Sequence, residues 1–177
     1  MSENSSIKIA RLITLEKKFR VSESETELEF TCVNELRSII DYNFLFLLTK
    51  SSLNKLKVKA ISDISVVDRT APAVTFIETL IKKDLIQSDE ISELSLKDLE
   101  NETDIVLPDN FPNEFVTIPL ISPTRGNIGY WVMVRSERAT NTEKELLLHI
   151  SETFSHALGS FTSKNSIMSF FQKVFTG

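Results

Sequence analysis

The chain reads as an α/β protein of the α+β type, a mainly antiparallel sheet combined with amphipathic helices. Three observations point there. Residues 115–121 and 128–134 are apolar runs rich in β-branched and aromatic residues, separated by Pro123, Gly126 and Asn127. They lie too close for a crossover, so they pair as an antiparallel hairpin. After the hairpin, Leu146, Ile150, Phe154, Ala157, Leu158 and Phe161 recur at three- and four-residue steps, the stripe of one long helix. Finally, residues 42–49, YNFLFLLT, are apolar almost throughout, as expected of a central strand covered on both faces.

The other elements follow in chain order. Residues 6–19 carry Ile9, Leu12, Ile13 and Phe19 with basic residues between them. This predicts a helix whose stripe is too sparse for the core and suits a partner. Residues 22–24 offer a cap for a second helix. Glu23, Glu25, Glu27 and Glu29 crowd its positive end, and Leu28, Cys32, Leu36, Ile39 and Ile40 form its buried face. Cys32 on that stripe reads as a small buried apolar residue. Residues 55–62 alternate Lys55, Lys57 and Lys59 with Leu56, Val58 and Ala60, a half-exposed strand near a sheet edge. Pro72 suits a first helical turn, and Val74, Ile77, Ile81 and Leu85 follow at helical spacing. A second short helix is expected over 89–100 from Ile91, Leu94 and Leu99, and a loop over 101–113 from its polar residues and Pro108 and Pro112.

In the hairpin neither run alternates cleanly, so both faces of the sheet are expected to be covered. Strand parity places Gly129, Trp131 and Met133 on one face and Ile128, Tyr130, Val132 and Val134 on the other. Thr142 with Glu145, and Thr140 with Glu143, both have capping-box spacing at the start of the last long helix. Beyond residue 163, Ile167, Phe170, Phe171 and Val174 form an i, i+3, i+4, i+7 set flanked by Met168 and Phe175. A short amphipathic tail with such residues either folds back on its own domain or meets a partner, with a dimer contact the first choice of partner. Membrane-surface binding is disfavoured, since only Lys164 and Lys173 supply positive charge.

Composition bounds the function. The chain has 177 residues, a net charge of -5 and a pI near 5.2. A general nucleic-acid binder needs a basic face, so none is expected. No apolar run nears the roughly 20 residues that cross a bilayer, and the N-terminus lacks a signal-peptide core. Cys32 is the only cysteine, which removes intrachain disulfides and fits a reducing, cytosolic setting. His149 and His156 lie seven apart on one helix, about 10 Å by the helical rise, too far to share a metal ion. No nucleophile elbow, zinc-protease helix, P-loop or dinucleotide fingerprint occurs. Arg125-Gly126-Asn127 is a turn with no helix starting at it, so it does not cradle phosphate.

The order Ile118-Pro119-Leu120, Gly126, Ile128-Gly129-Tyr130-Trp131-Val132, then Thr142 and Glu145 before a long helix, resembles the C-terminal half of a GAF domain. With the helix and strands before it, the resemblance covers roughly residues 24–162. It implies long terminal helices on one face of the sheet, and on the other a wall and lid over a ligand pocket. The corresponding division is an N-terminal helical extension (1–22), a GAF-like domain (23–162) and an amphipathic tail (163–177). Residues 66–80, VVDRTAPAVTFIETL, are similar to a segment of GAF-like domains associated with membrane-fusion adaptor subunits of bacterial export systems.

The resemblance implies non-catalytic regulation. A small molecule or a partner binds over the sheet, and the state passes on through the first and last helices. The alternative is a ligand-free dimerisation or scaffold domain of a larger assembly such as an export system. Enzyme activity is not expected. The methionine-sulfoxide reductases of the family use several cysteines, bilin-binding members attach their chromophore to a pocket cysteine, and the cyclic-nucleotide signature is missing here. No cofactor or metal is expected. Asp68 and Arg69 are candidates to orient a polar ligand group, or simply face solvent and neighbours. Phe44, Phe46 and Trp131 are candidates to line a cavity, or are plain core. Ile167, Phe170, Phe171 and Val174 are candidates for the contact of a homodimer.

Overall fold

The computed structural model describes residues 2–102 and 104–176. Among these, β1 (Phe44–Lys50), β2 (Leu56–Ile61), β3 (Ser92–Ser95), β4 (Glu114–Ser122) and β5 (Gly126–Arg135) form one sheet in the order β2-β1-β5-β4-β3. Every pairing is antiparallel. The helices are α1 (Ser2–Val21), α2 (Glu25–Glu35), α3 (Pro72–Lys82) and α4 (Asn141–Thr176). The fold is the predicted one, an antiparallel sheet with helices on both faces.

One face packs against α1, α2 and α4. Leu45, Leu47, Val116, Ile118, Leu120, Trp131 and Met133 meet Leu15, Phe19, Leu28, Cys32, Leu147, Ile150, Phe154 and Leu158. The other face packs against α3 and the irregular segments around it. There Phe46, Leu48, Val58, Phe115, Tyr130, Val132 and Val134 meet Val74, Phe76, Ile77, Leu80 and Leu99. α1 is therefore not purely a partner surface as its sparse stripe suggested. Leu15 and Phe19 enter the core, and the Phe19 ring meets Phe154 edge-on at 5.3 Å, while Ile9 and Ile13 stay exposed.

Local rules explain the boundaries. Ser24 Oγ accepts from the Glu27 amide (3.1 Å) and caps α2. Pro72 occupies the first turn of α3. Of the two candidate boxes before α4, Thr140 and Glu143 form the working one. The Thr140 amide donates to Glu143 Oε2 (2.9 Å) and the Glu143 amide donates to Thr140 Oγ1 (3.1 Å). Arg135, at the end of β5, donates to both Glu143 oxygens at 2.7 and 3.1 Å, tying the strand to the helix start. Thr142 and Glu145 lie inside α4 and cap nothing.

Three expectations are corrected. The second helix expected over 89–100 is instead β3 followed by a 3-10 turn, Leu96–Leu99. Ser92–Ser95 finds a ladder on β4, and a Ser95–Asp98 capping box turns the chain sharply after it, so the apolar spacing of Leu94 and Leu99 never closes an α-helix. The strand expected at 42–49 begins at Phe44; Tyr42 precedes it and donates its hydroxyl hydrogen to the Val33 carbonyl at 2.6 Å. Strand parity fails at two bulges. β4 pairs Leu120 with Gly129 but Ile121 with Asn127, so Ile128 is the extra residue and turns toward the helices with Trp131. On β2, Lys59 is the extra residue, and Ala60 turns to the helix side while Val58 faces α3.

The hairpin turn closes through Gly126 at φ +72, a left-handed conformation that suits glycine. Gly129 serves a different need. A Cβ there would stand 2.0 Å from the Leu48 carbonyl oxygen of the neighbouring strand. Gly129→Ala is therefore expected to force β1 and β5 apart and lower stability by about 3 kcal/mol in chemical denaturation, whereas Gly126→Ala strains only the turn and costs about 1 kcal/mol.

Candidate functional site

On the α3 side of the sheet the space where a ligand pocket was expected holds phenylalanines. Phe111 comes in from the loop after the 3-10 turn and stacks on Phe44 at 5.4 Å and on Phe115 at 5.9 Å. Phe76 of α3 reaches Phe111 and Phe115, both at 5.7 Å. Ring pairs at these separations add attraction beyond the area they bury. Phe46, Phe76 and Phe115 are fully buried, and Tyr130, Val132 and Val134 close the floor. The sequence reading missed Phe76 and Phe111. Phe76 stands one residue before Ile77 and four before Leu80, a signal that was present. Nothing in the Pro-flanked polar loop marked Phe111 as a plug.

The five candidate ligand residues do not converge. Phe44 and Phe46 face α3, whereas Trp131 faces the terminal helices and meets Phe154 at 5.2 Å. Asp68 Oδ1 accepts from the Thr70 amide (2.8 Å) and hydroxyl (2.7 Å), and these bonds hold its carboxyl below the usual range. Arg69 Nη1 donates to Glu78 Oε1 on α3 (3.3 Å). Asp68 thus braces the connector internally, and Arg69 fastens it to α3.

A cleft of about 670 Å3 lies at the rim of this face. Lys50, Asn54, Lys55, Lys82, Asp84 and Tyr130 line it, with Leu56, Ile81 and Ile86 on its floor. Burial pushes the Tyr130 hydroxyl above its ordinary pKa.

Cys32 is wholly buried. Burial raises its pKa well above the ordinary value; the Trp131 indole N–H opposes this and the nearby Glu29 carboxyl adds to it. The indole N–H meets no oxygen or nitrogen acceptor and faces this sulfur, a weak one. A thiol kept protonated in the core is a poor nucleophile. His149 and His156 are both exposed on α4, and His149 Nε2 lies 2.7 Å from Glu16 of α1. Among the described residues no group of three His, Cys, Asp or Glu side chains is placed to hold a metal ion.

The terminal helices run in the same direction, since Glu16 meets His149 and Phe19 meets Phe154. α1 ends at Val21, but α4 continues unbroken to Thr176. The tail is thus the far end of α4 rather than a separate short helix. Ile167, Met168, Phe170, Phe171, Val174 and Phe175 are all exposed on it. Among the described residues no helix is long and apolar enough to cross a membrane.

No family model matches the sequence, and no curated protein is similar to it. Solved structures do match. The GAF domain of an Acinetobacter phosphoenolpyruvate-protein phosphotransferase superposes with a TM-score of 0.65 at 12% identity, over 92% of this chain and 97% of that one. A methyl-accepting chemotaxis protein segment gives 0.58 at 11% over 86% and 98%. A free methionine-R-sulfoxide reductase from Neisseria meningitidis, solved with its substrate, gives 0.61 at 10% over 93% and 95%. The chain has a GAF-like fold. Structures of that fold include parts of regulatory proteins and also enzymes.

Glu29 of α2 is buried, and burial pushes its carboxyl up from 4.5 to about 7, against the pull of Lys59 on β2 and with a further push from Glu25. The folded state then binds this proton more tightly than the unfolded chain. Its contribution to stability is complete below about pH 4.5 and is lost as pH rises to about 7. Urea unfolding across this window should show Glu29→Gln gaining on the unsubstituted chain as pH rises, by about 2 kcal/mol at pH 8.

Proposed function

We propose that this GAF-fold chain is a non-catalytic regulatory domain that acts by contact, with α1 and α4 as its working surface. The observation that carries this reading is the division between the faces. The face over the sheet is filled by Phe44, Phe46, Phe76, Phe111 and Phe115, whereas the far half of α4 exposes six apolar side chains in succession, Ile167, Met168, Phe170, Phe171, Val174 and Phe175, and α1 adds Ile7, Ile9 and Ile13. A filled face is a core; an exposed apolar stripe asks for a covering surface. The buried, protonated Cys32 supports a non-catalytic role, since the similar reductase structures show only that this fold accommodates an enzyme. The likeness of residues 66–80 to export-associated domains makes a multi-subunit assembly a natural setting.

One observation favours a second reading, regulation by a small anionic molecule. Lys50, Lys55 and Lys82 gather at the rim cleft over an apolar floor. The two readings separate by thermal melting. Contact regulation predicts no rise in melting temperature with millimolar cyclic nucleotides, sugar phosphates or methionine sulfoxide, and no reductase turnover. A rise that grows with ligand concentration and disappears in Lys82→Ala would establish the second reading instead. Phe115→Ala, which hollows the packed face, is expected to cost about 3–4 kcal/mol of stability.

A further inference from the structure

We infer that the end of the sheet where the β1–β2 and β4–β5 turns meet docks an extended segment of a partner protein in which acidic and apolar residues are interspersed. This rests on the contact reading above; it gives that contact a second surface, away from the exposed half of α4, and its partner a chemistry.

The surface follows from strand pairing. β1 runs out where β5 begins, since Thr49 pairs with Gly129. The turn after β1 and the turn before β5 therefore stand side by side, and each is held in one shape. The Ser51 amide donates to the Lys55 carbonyl (2.9 Å), the Asn54 amide donates to the Ser51 carbonyl (2.8 Å), and Asn54 sits at φ +60. Gly126 closes the other turn in its left-handed conformation. The bulge that turns Ile128 toward the helices puts an apolar side chain in the space beside them.

That space is a second cleft, of about 340 Å3, on the helix side of the sheet. Ile128 and Leu158 give it an apolar lining, and Lys50 and Arg125 are its cations. The rim cleft lies on the α3 side, with Lys55 and Lys82 over Leu56, Ile81 and Ile86. Lys50 and Asn54 line both. The two clefts are thus halves of one track that wraps the strand ends, with Lys50 at the saddle between them.

Charge selects the occupant. The chain as a whole has a net charge of -5. Along the track the balance reverses, with Lys50, Lys55, Lys82 and Arg125 set against the carboxylates of Glu25 and Asp84. Among the described residues none of these four cations is in an ion pair, whereas Lys83, next to Lys82 in sequence, is held by Glu102 (3.2 Å) and Asp104 (3.6 Å). Cations that no carboxylate of their own chain neutralises attract those of another. The apolar floor on both sides of the saddle asks for apolar side chains among the acids, and an extended chain alternates the two directions residue by residue. A small molecule fills one cleft and leaves the cations of the other unmatched. A nucleic acid needs rings to stack on, and Tyr130, the aromatic residue of the lining, is 2% exposed.

Fluorescence anisotropy on the 177-residue chain tests this, with a short labelled peptide in which leucines alternate with glutamates and aspartates. Saturable binding is expected, weakened about tenfold or more by Lys50→Glu with Arg125→Glu, and equally by Lys55→Glu with Lys82→Glu. Lys97→Glu, on the 3-10 turn beyond the opposite border of the sheet, should shift it by less than about twofold. Should charge reversal unfold the chain, Lys50→Gln with Arg125→Gln is expected to weaken binding about threefold or more. No saturable binding overturns the inference, as does equal weakening by Lys97→Glu. So does a loss seen only in Phe170→Ser with Phe171→Ser, which puts the peptide on α4. Weakening by the Lys55 and Lys82 pair alone confines the occupant to the rim cleft and overturns the track. Tighter binding of oligouridylate than of the peptide, or displacement of the peptide by equimolar inorganic phosphate, overturns the partner's chemistry in favour of RNA or of a small anion. A peptide that fails to bind while the melting temperature ignores small molecules removes this partner and leaves contact regulation through the helices. A melting temperature that climbs with a small anionic ligand, and no longer does so in Lys82→Ala, removes the contact reading itself.

Discussion

β5 has no free edge and no free face, and the remainder of the molecule is arranged to satisfy that. It pairs with β1 on one side and β4 on the other. Its alternate residues need apolar cover above and below, Trp131 and Met133 toward the terminal helices and Tyr130, Val132 and Val134 toward α3. A strand so enclosed tolerates no side chain where β1 comes closest, and Gly129 occupies that point. The Arg135–Glu143 pair carries the constraint onward, because the strand that cannot move also holds the first turn of α4.

The enclosure treats the two faces of the sheet differently. The α3 face is committed to stability, since its aromatic cluster closes over β5 and leaves the polar residues of the connector to fasten one another. The helix face is committed only in part. α4 covers β5 with Leu147, Ile150, Phe154 and Leu158, and then outruns the sheet it covers. A change at the far end of α4 is mechanically continuous with the Glu143 cap and so with the central strand. That continuity is what supports the proposed regulation through the helices.

Most of this was legible in the sequence because hydrophobic periodicity reports which faces are covered. The hairpin, the edge strand with its lysines, the caps at Ser24 and Thr140, and the α4 stripe all follow from local patterns. β3 was not legible. Four residues pairing with a distant edge leave no local signature, and tertiary pairing overrode the helical spacing of Ile91, Leu94 and Leu99. The bulges at Lys59 and Ile128 reversed side-chain parity, which nothing in the alternation forecast. Of the candidate ligand residues, the apolar character of Phe44, Phe46 and Trp131 was readable. Their division between opposite faces depends on which layer each strand position meets. Asp68 and Arg69 looked available because sequence does not display the Thr70 and Glu78 groups that occupy them.

The borders of the sheet limit how this protein multiplies. β2 presents alternating lysines outward at one border. At the opposite border β3 stops at Ser92 against Thr117, leaving β4 uncovered from Ile118 onward, and Pro119 interrupts that stretch with a residue that has no amide hydrogen to give. Neither margin accepts another ribbon readily, so fibrous stacking is discouraged at both ends. Contact between this domain and another body is therefore disfavoured along either margin of the sheet.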